Sequence, residues 1–370
     1  MMLMIGVFVS AQLNPQLEMS TLDVFPVREP VSKRAYTVLR LRTRSGPAGY
    51  GECSGVSPAD LAALRAAIQG KEASSFESIR RGLTVSAPAL AGLNMAMLDI
   101  VGKFTGVPVY QVLGGPTRNQ ARALAQIEGE TDDAIMAAVG QARAAGHRAF
   151  LIPVPATHSR NHSATLVNAT RQRLDRARSA GGEGCDFVLD ARGKLTPGDA
   201  SALAAALERF HLLWFDEPCP LSNLSAASKV AGENVTPVGF GRFAAEAGVF
   251  QDLLRGDAVD VLRPDLCRHG ITQIRRIAAV AEPYYLAVAP FHDGGPIATA
   301  AALHLAASLP NFFIQQVPYP AAEEDRRMRS RLTGKPVEDV RDGFLQLPVG
   351  PGLGVGVNEP AFTEYQERAA

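Results

Sequence analysis

The stretch DFVLDARGKLTPGDASALAAAL, residues 186–207, holds one complete unit of the fold. Phe187, Val188 and Leu189 form an apolar run too short for a helix, and it ends on Asp190. Thr196, Pro197 and Asp199 then mark a helix start: a hydroxyl to accept an orphan backbone N–H, a proline where its missing N–H costs nothing, and an acid near the positive helix end. An Ala/Leu helix follows. The unit is strand, loop, helix.

The same texture recurs on both sides. RALAQI (122–127), RAFLIPV (148–154), LLWFDEP (212–218), TPVGFG (236–241), AVDVLRPD (258–265), YLAVAPF (285–291) and FFIQQV (312–317) read as further buried strands, most of them followed by an Ala-rich helical segment. This many alternations predicts a parallel sheet closed into an α/β barrel over residues 119–341. Gly146 marks the end of one helix before its strand.

Upstream, residues 19–118 differ. LDVFPV, AYTVLRLRT and GYGEC alternate or run as strands around a Ser-Gly-Pro turn, which predicts an antiparallel meander, and helical spacing follows at Pro58–Gln69 and Ala89–Phe104. This is an α+β domain ahead of the barrel. Residues 1–18 read as an N-terminal extension, and the glycine-rich tail from about 342 to 370 is expected to return to the first domain. Its glycines lack the strand-to-helix context of a dinucleotide fingerprint.

Composition sets the outer limits. Lys+Arg and Asp+Glu balance at 37 each in 370 residues, so no global field draws nucleic acid or an anionic membrane. No apolar stretch reaches the ~20 residues of a membrane helix. Four scattered cysteines form no CxxC pair and read as reduced thiols. The expected setting is cytoplasmic.

Several segments, in order, resemble the mandelate racemase and muconate lactonizing group of the enolase superfamily: GYGEC (49–53), LDIVGKFTGVPVYQVLGG (98–115), LDARGKLTPGDA (189–200), LLWFDEPCP (212–220), AVDVLRPDLCRHGIT (258–272), VAPFHDGGPI (288–297) and HLAASLPNF (304–312). The resemblance implies a modified TIM barrel, (β/α)7β, under an N-terminal α+β capping domain, with the site at the C-terminal strand ends. It also implies proton abstraction beside a carboxylate, an enediolate held on Mg²⁺, and assembly as a homo-oligomer.

Carried over residue by residue, the resemblance places two metal-ligand positions on Asp190 and Asp216, with Glu217 behind them. The third falls on Arg242, a permanent cation without an acceptor, so the expectation is that Arg242 replaces the metal between two carboxylates. Arg192 adds positive charge beside Asp190. The lysine pair of the second strand is replaced by Leu151, Ile152 and Pro153. On the opposite face Asp265 fits the aspartate position, the histidine position falls on Phe291 with His292 one residue away, and the acid of the last strand becomes Gln316.

Three functions follow from the resemblance and its departures. One is an isomerase or lyase acting on a small carboxylate or sugar acid held by Arg242, Arg192 and Gln316, with Asp265 and His292 as acid and base. Another is a non-catalytic barrel that binds such an acid or serves a structural role. The third is an ordinary Mg²⁺-dependent acid-sugar dehydratase.

Overall fold

A computed structural model describes residues 13–156 and 163–366. Three antiparallel strands open the chain: β1 (Met19–Arg28), β2 (Ala35–Thr43) and β3 (Gly49–Cys53), in the order β1-β2-β3. Their inner face packs on the helices α1 (Pro58–Ala67), α2 (Phe76–Arg81) and α3 (Ala87–Thr105), with a short turn of helix, α4 (Val109–Val112), after them. Ser57 caps α1 by accepting from the Asp60 N–H, and Gly106 ends α3 in the left-handed region at φ 72°.

Eight parallel strands then make the barrel: β4 (Gln120–Gln126), β5 (Ala149–Pro153), β6 (Asp186–Asp190), β7 (Phe215–Asp216), β8 (Val238–Phe240), β9 (Val261–Leu262), β10 (Ala287–Val288) and β11 (Gln315–Val317). Neighbours pair in sequence order, and β11 returns to pair with β4. Between β10 and β11 no ladder forms, but backbone N–H groups of Val288, Phe313 and Gln316 donate across the seam at 2.9, 2.9 and 3.1 Å. Seven helices fill the crossovers: α5 (Asp132–Ala144), α6 (Ser163–Gly181), α7 (Pro197–Leu207), α8 (Leu224–Gly232), α9 (Gly248–Arg255), α10 (Leu266–Ala281) and α11 (Pro296–Ser308). The result is the (β/α)7β arrangement that the resemblance implies.

The expected punctuation is present. Thr196 caps α7, accepting from the Asp199 N–H, and Gly146 takes φ 100° just past α5. The barrel interior is filled by Leu124, Leu151, Val188, Trp214, Val261, Ala289 and Ile314, a packed core rather than a pore. Beyond β11 come α12 (Glu323–Thr333), the hairpin β12 (Val340–Arg341) and β13 (Phe344–Gln346), and α13 (Glu359–Glu364).

The tail does reach the first domain. Gly352 exchanges backbone hydrogen bonds with Val107 and Val109, Leu353 N–H donates to Asp99 at 2.8 Å, and Phe362 lies 5.2 Å from the Phe25 ring. Ala73 N–H donates to Leu17 O at 2.9 Å; residues 1–12 lie outside the described residues. All four cysteines are free thiols. No helix among the described residues is long and apolar enough to cross a membrane.

Candidate functional site

Parallel strands direct their C-terminal ends to one face, so Asp190, Asp216, Arg242 and Asp265 arrive there from four successive strand ends. The local chain is bent to deliver them. Gly241 follows β8 at φ 123°, where any side chain would be strained, and Glu217 takes φ 45°. In that turned position the Glu217 carboxylate accepts the backbone N–H groups of Gly241 and Arg242 at 2.7 and 2.6 Å. It fastens the loop that carries Arg242.

Arg242 then reaches inward. Its Nη1 donates to Asp190 Oδ2 at 2.8 Å and to Asp216 Oδ2 at 3.1 Å, and its side chain is only 6% exposed. Burial alone would lower its pKa; the Asp216 and Asp190 carboxylates overcome that and raise it. The guanidinium is sandwiched near Phe291 and Phe243, at 5.1 and 5.8 Å from the ring centroids.

A second internal cation, Arg263, was not singled out from sequence. It is fully buried in the barrel, donating from Nε to Asp216 Oδ1 at 2.8 Å and from its two Nη groups to Ala289 O and Gln316 Oε1. Trp214 Nε1–H shares the same Asp216 oxygen at 2.6 Å and stacks under Arg263 at 4.9 Å. Gly239 makes this possible, because a Cβ there would sit 2.4 Å from the indole and 2.9 Å from Asp216 Oδ1. The available signal was the one basic residue in the strand segment AVDVLRPD, between Asp260 and Asp265.

These contacts decide whether a divalent ion fits. Asp190 Oδ1 accepts the Arg192 backbone N–H at 2.8 Å, Asp190 Oδ2 and Asp216 Oδ2 accept Arg242, and Asp216 Oδ1 accepts Trp214 and Arg263. Each of the four oxygens is engaged by a donor, and the third position is itself a cation. The donor set does not fit Mg²⁺, which needs near-octahedral oxygen ligands at short range. Among the described residues no group of three or more His, Cys, Asp or Glu side chains is arranged to hold a metal.

Other expected residues divide. Gln316 is brought in, tied to Arg263 on one side and donating to Gln126 at 2.7 Å on the other, so its amide is spent on the protein. Arg192, in the left-handed region at φ 53°, stands half-exposed with Nε 3.5 Å from Asp190. It edges a cleft of about 1000 Å³ lined also by Asp190, Lys194, Arg173, Glu128 and Glu130. Asp265 caps α10, accepting the Cys267 N–H at 2.8 Å; burial pushes its pKa up to about 7 against that hydrogen bond, and nearby Asp293 adds to the rise.

His292 is not brought to the mouth, which corrects the expected pairing with Asp265. The segment after β10 alternates, so Phe291 covers Arg242 while His292 turns to the far side and is wholly buried. Its Nε2 meets Thr299 Oγ1 at 3.3 Å, and burial, with Arg329 nearby, pushes its pKa down to about 3. Asp293, one residue on and exposed, is the side chain that acts electrostatically on both Arg242 and Asp265. Leu151, in the place of the first lysine, lies in the barrel core. His158, Arg160 and His162, which follow β5 in the sequence, lie outside the described residues.

Comparison with known proteins agrees with this architecture. Residues 20–114 match the mandelate racemase / muconate lactonizing enzyme N-terminal domain, and residues 134–361 match the enolase C-terminal domain-like family. The chain is 30% identical over 294 residues to a D-galactonate dehydratase of Ralstonia nicotianae, covering 78% of this chain and 76% of that protein. It is 28% identical to a D-galactarolactone cycloisomerase of Agrobacterium fabrum, covering 90% and 92%. A solved mandelate racemase/muconate lactonizing enzyme-like protein of Rubrobacter xylanophilus superposes with a TM-score of 0.84 at 25% identity, covering 95% of this chain and 98% of that one.

Proposed function

The chain belongs to the mandelate racemase and muconate lactonizing enzyme group of the enolase superfamily, and from that premise we propose that it is an acid-sugar lyase-type barrel working without a divalent metal. Relatives named as dehydratases of galactonate and mannonate, and one named as a galactarolactone cycloisomerase, support a small sugar-acid ligand. The observation that carries the metal-free reading is the Arg242 guanidinium set between Asp190 and Asp216. It supplies fixed positive charge where charge develops on a carboxylate-bearing substrate as its neighbouring C–H bond breaks.

Within this reading Arg242 and Arg192 hold the acid, Arg263, itself held by Gln316, fixes Asp216, and Asp265 takes the proton. A carboxyl whose pKa lies near 7 is suited to exchange protons at neutral pH. A carboxylate already fully ionised far from its pKa is a weaker base. Asp293 lies near enough to tune it.

Turnover of a panel of hexonates and hexarates, measured with EDTA and with added Mg²⁺, tests the proposal. Turnover undiminished by EDTA is expected; strict dependence on Mg²⁺ overturns it. A second reading, a barrel that binds an acid without converting it, is favoured by Leu151 in the lysine place and by the turned His292. Its mark is thermal stabilisation by a sugar acid with no product.

A further inference from the structure

We propose that a cavity outside the barrel wall, between β11 and α12, is a second ligand site built for an aromatic monocarboxylate. It encloses about 490 Å³, a size usual for small-molecule sites. His147, Tyr319, Arg326 and Ser330 line it together with Pro296, Pro318 and Pro336. It is separate from the mouth. Gln316 points into the barrel at Arg263, so Val317, the next residue of β11 and part of this wall, points outward, and His147 precedes β5 at the strand ends opposite the mouth.

The polar groups of the wall divide by type. Its two acids are already taken: Glu338 accepts Arg329 Nε at 2.7 Å and the Thr299 hydroxyl at 2.5 Å, and Asp339 accepts Arg341 at 3.0 Å. The donors are open. His147 is only 2% exposed, and none of the described residues hydrogen-bonds its ring. Burial pushes its pKa down to about 4, so the ring is neutral and carries one N–H in want of an acceptor. Arg326 has no carboxylate partner among the described residues; Pro320 O and Ala321 O accept its Nη1 at 2.7 and 2.6 Å and fix the guanidinium 5.8 Å from the Tyr319 ring centroid.

What complements such a wall is an anion with a flat apolar body. Carboxylate oxygens supply the acceptor that His147 lacks and the charge that Arg326 lacks, while a ring lies among the prolines and Tyr319, whose own ring meets His147 edge-on at 5.1 Å. One negative charge suffices. Arg329 is matched by Glu29 and Glu338, and Asp339 by Arg341, which leaves Arg326 as the surplus cation of the wall.

Full-length protein labelled with ¹³C,¹⁵N-histidine and titrated with benzoate tests this by NMR. The His147 ring signal is assigned by its loss in His147→Phe, or in His147→Gln if the phenylalanine variant does not fold. A saturable shift of that signal is expected with benzoate and none with benzamide, acetate should bind at least tenfold more weakly, and the benzoate response should persist in Arg192→Ala, which alters the mouth. Arg326→Gln should weaken benzoate about fivefold, the worth of a partly solvated charge pair. Ala145→Trp, made at an exposed residue of the rim, should fill the cavity and abolish the shift. No saturable shift, a response to benzamide or acetate equal to that of benzoate, loss of the response in Arg192→Ala, or affinity unchanged in Arg326→Gln or Ala145→Trp overturns the proposal.

Discussion

Two buried arginines, Arg242 at the barrel mouth and Arg329 under the cap, face pairs of carboxylates, yet they are satisfied in opposite ways. Arg329 donates from Nε to Glu338 at 2.7 Å, from Nη1 to Glu29 at 2.5 Å, and from Nη2 to Glu338 and, at 3.0 Å, to Gly294 O. All three nitrogens have acceptors. Around it Asp325 accepts the Val31 and Ser32 N–H groups at 2.8 Å each, so the loop between β1 and β2 is pinned to α12. Arg242 leaves an edge unmade. The guanidinium with every donor matched joins the cap to the barrel, whereas Arg242 keeps a buried Nε without an acceptor.

The sharpest way to break that contrast is the same substitution at both places. Arg329→Met strands Glu29 and Glu338 among buried surroundings and is expected to cost ~3–5 kcal/mol. Arg242→Met is expected to cost ~1–3 kcal/mol, because Asp190 and Asp216 keep their Arg192, Trp214 and Arg263 donors. Urea unfolding of the two variants measures this; equal losses would erase the distinction between a structural and a receptive arginine.

A pH-dependent effect separates Asp265 from its surroundings. Burial holds its folded pKa at about 7, above the ordinary carboxyl value of 3.8, so the protonated form is the one the fold favours. The associated stability is full below about pH 4 and is lost as pH rises through 7. Asp265→Asn keeps a side-chain acceptor for Cys267 but cannot ionise. Relative to this variant, the wild type should lose on the order of 4 kcal/mol between about pH 4 and pH 8. Glu52, whose pKa burial also lifts to about 7, gives a similar slope in both proteins and cancels from the difference. Matching pH profiles for the two proteins would show that Asp265 is already ionised in the fold.

The smallest effect on the fold is expected at the cleft rim. Arg192→Ala removes a half-exposed side chain whose contact with Asp190 is long, so stability should change by less than about 0.5 kcal/mol. Affinity for a sugar acid should fall by roughly three- to tenfold, since a partly solvated charge pair is worth about 1 kcal/mol. Calorimetric titration compares the two proteins. An unchanged affinity would confine recognition to Arg242.

Much of the architecture was legible because it rests on local, repeated signals. Periodicity set the strand and helix order, Thr196 and Gly146 marked helix ends, and the change of texture near residue 118 separated cap from barrel. Asp190, Asp216 and Arg242 were legible through the family resemblance, which assigns a role to each of those strand ends. Arg263 and Trp214 were harder, since either reads as an ordinary strand residue until the barrel closes and brings it onto Asp216. Asp293 and His292 are adjacent in the chain, and only the side each faces distinguishes them.

By itself, then, the sequence determined the barrel, its cap and a cation, Arg242, where the resemblance expects an acid, because residue type and strand order survive without coordinates. Tertiary structure decided which way His292 turns, that Arg263 meets Asp216, and that Arg242 Nε is buried without an acceptor. Those outcomes depend on distances and directions between residues far apart in the chain, and hydrogen bonds form or fail within a few tenths of an ångström.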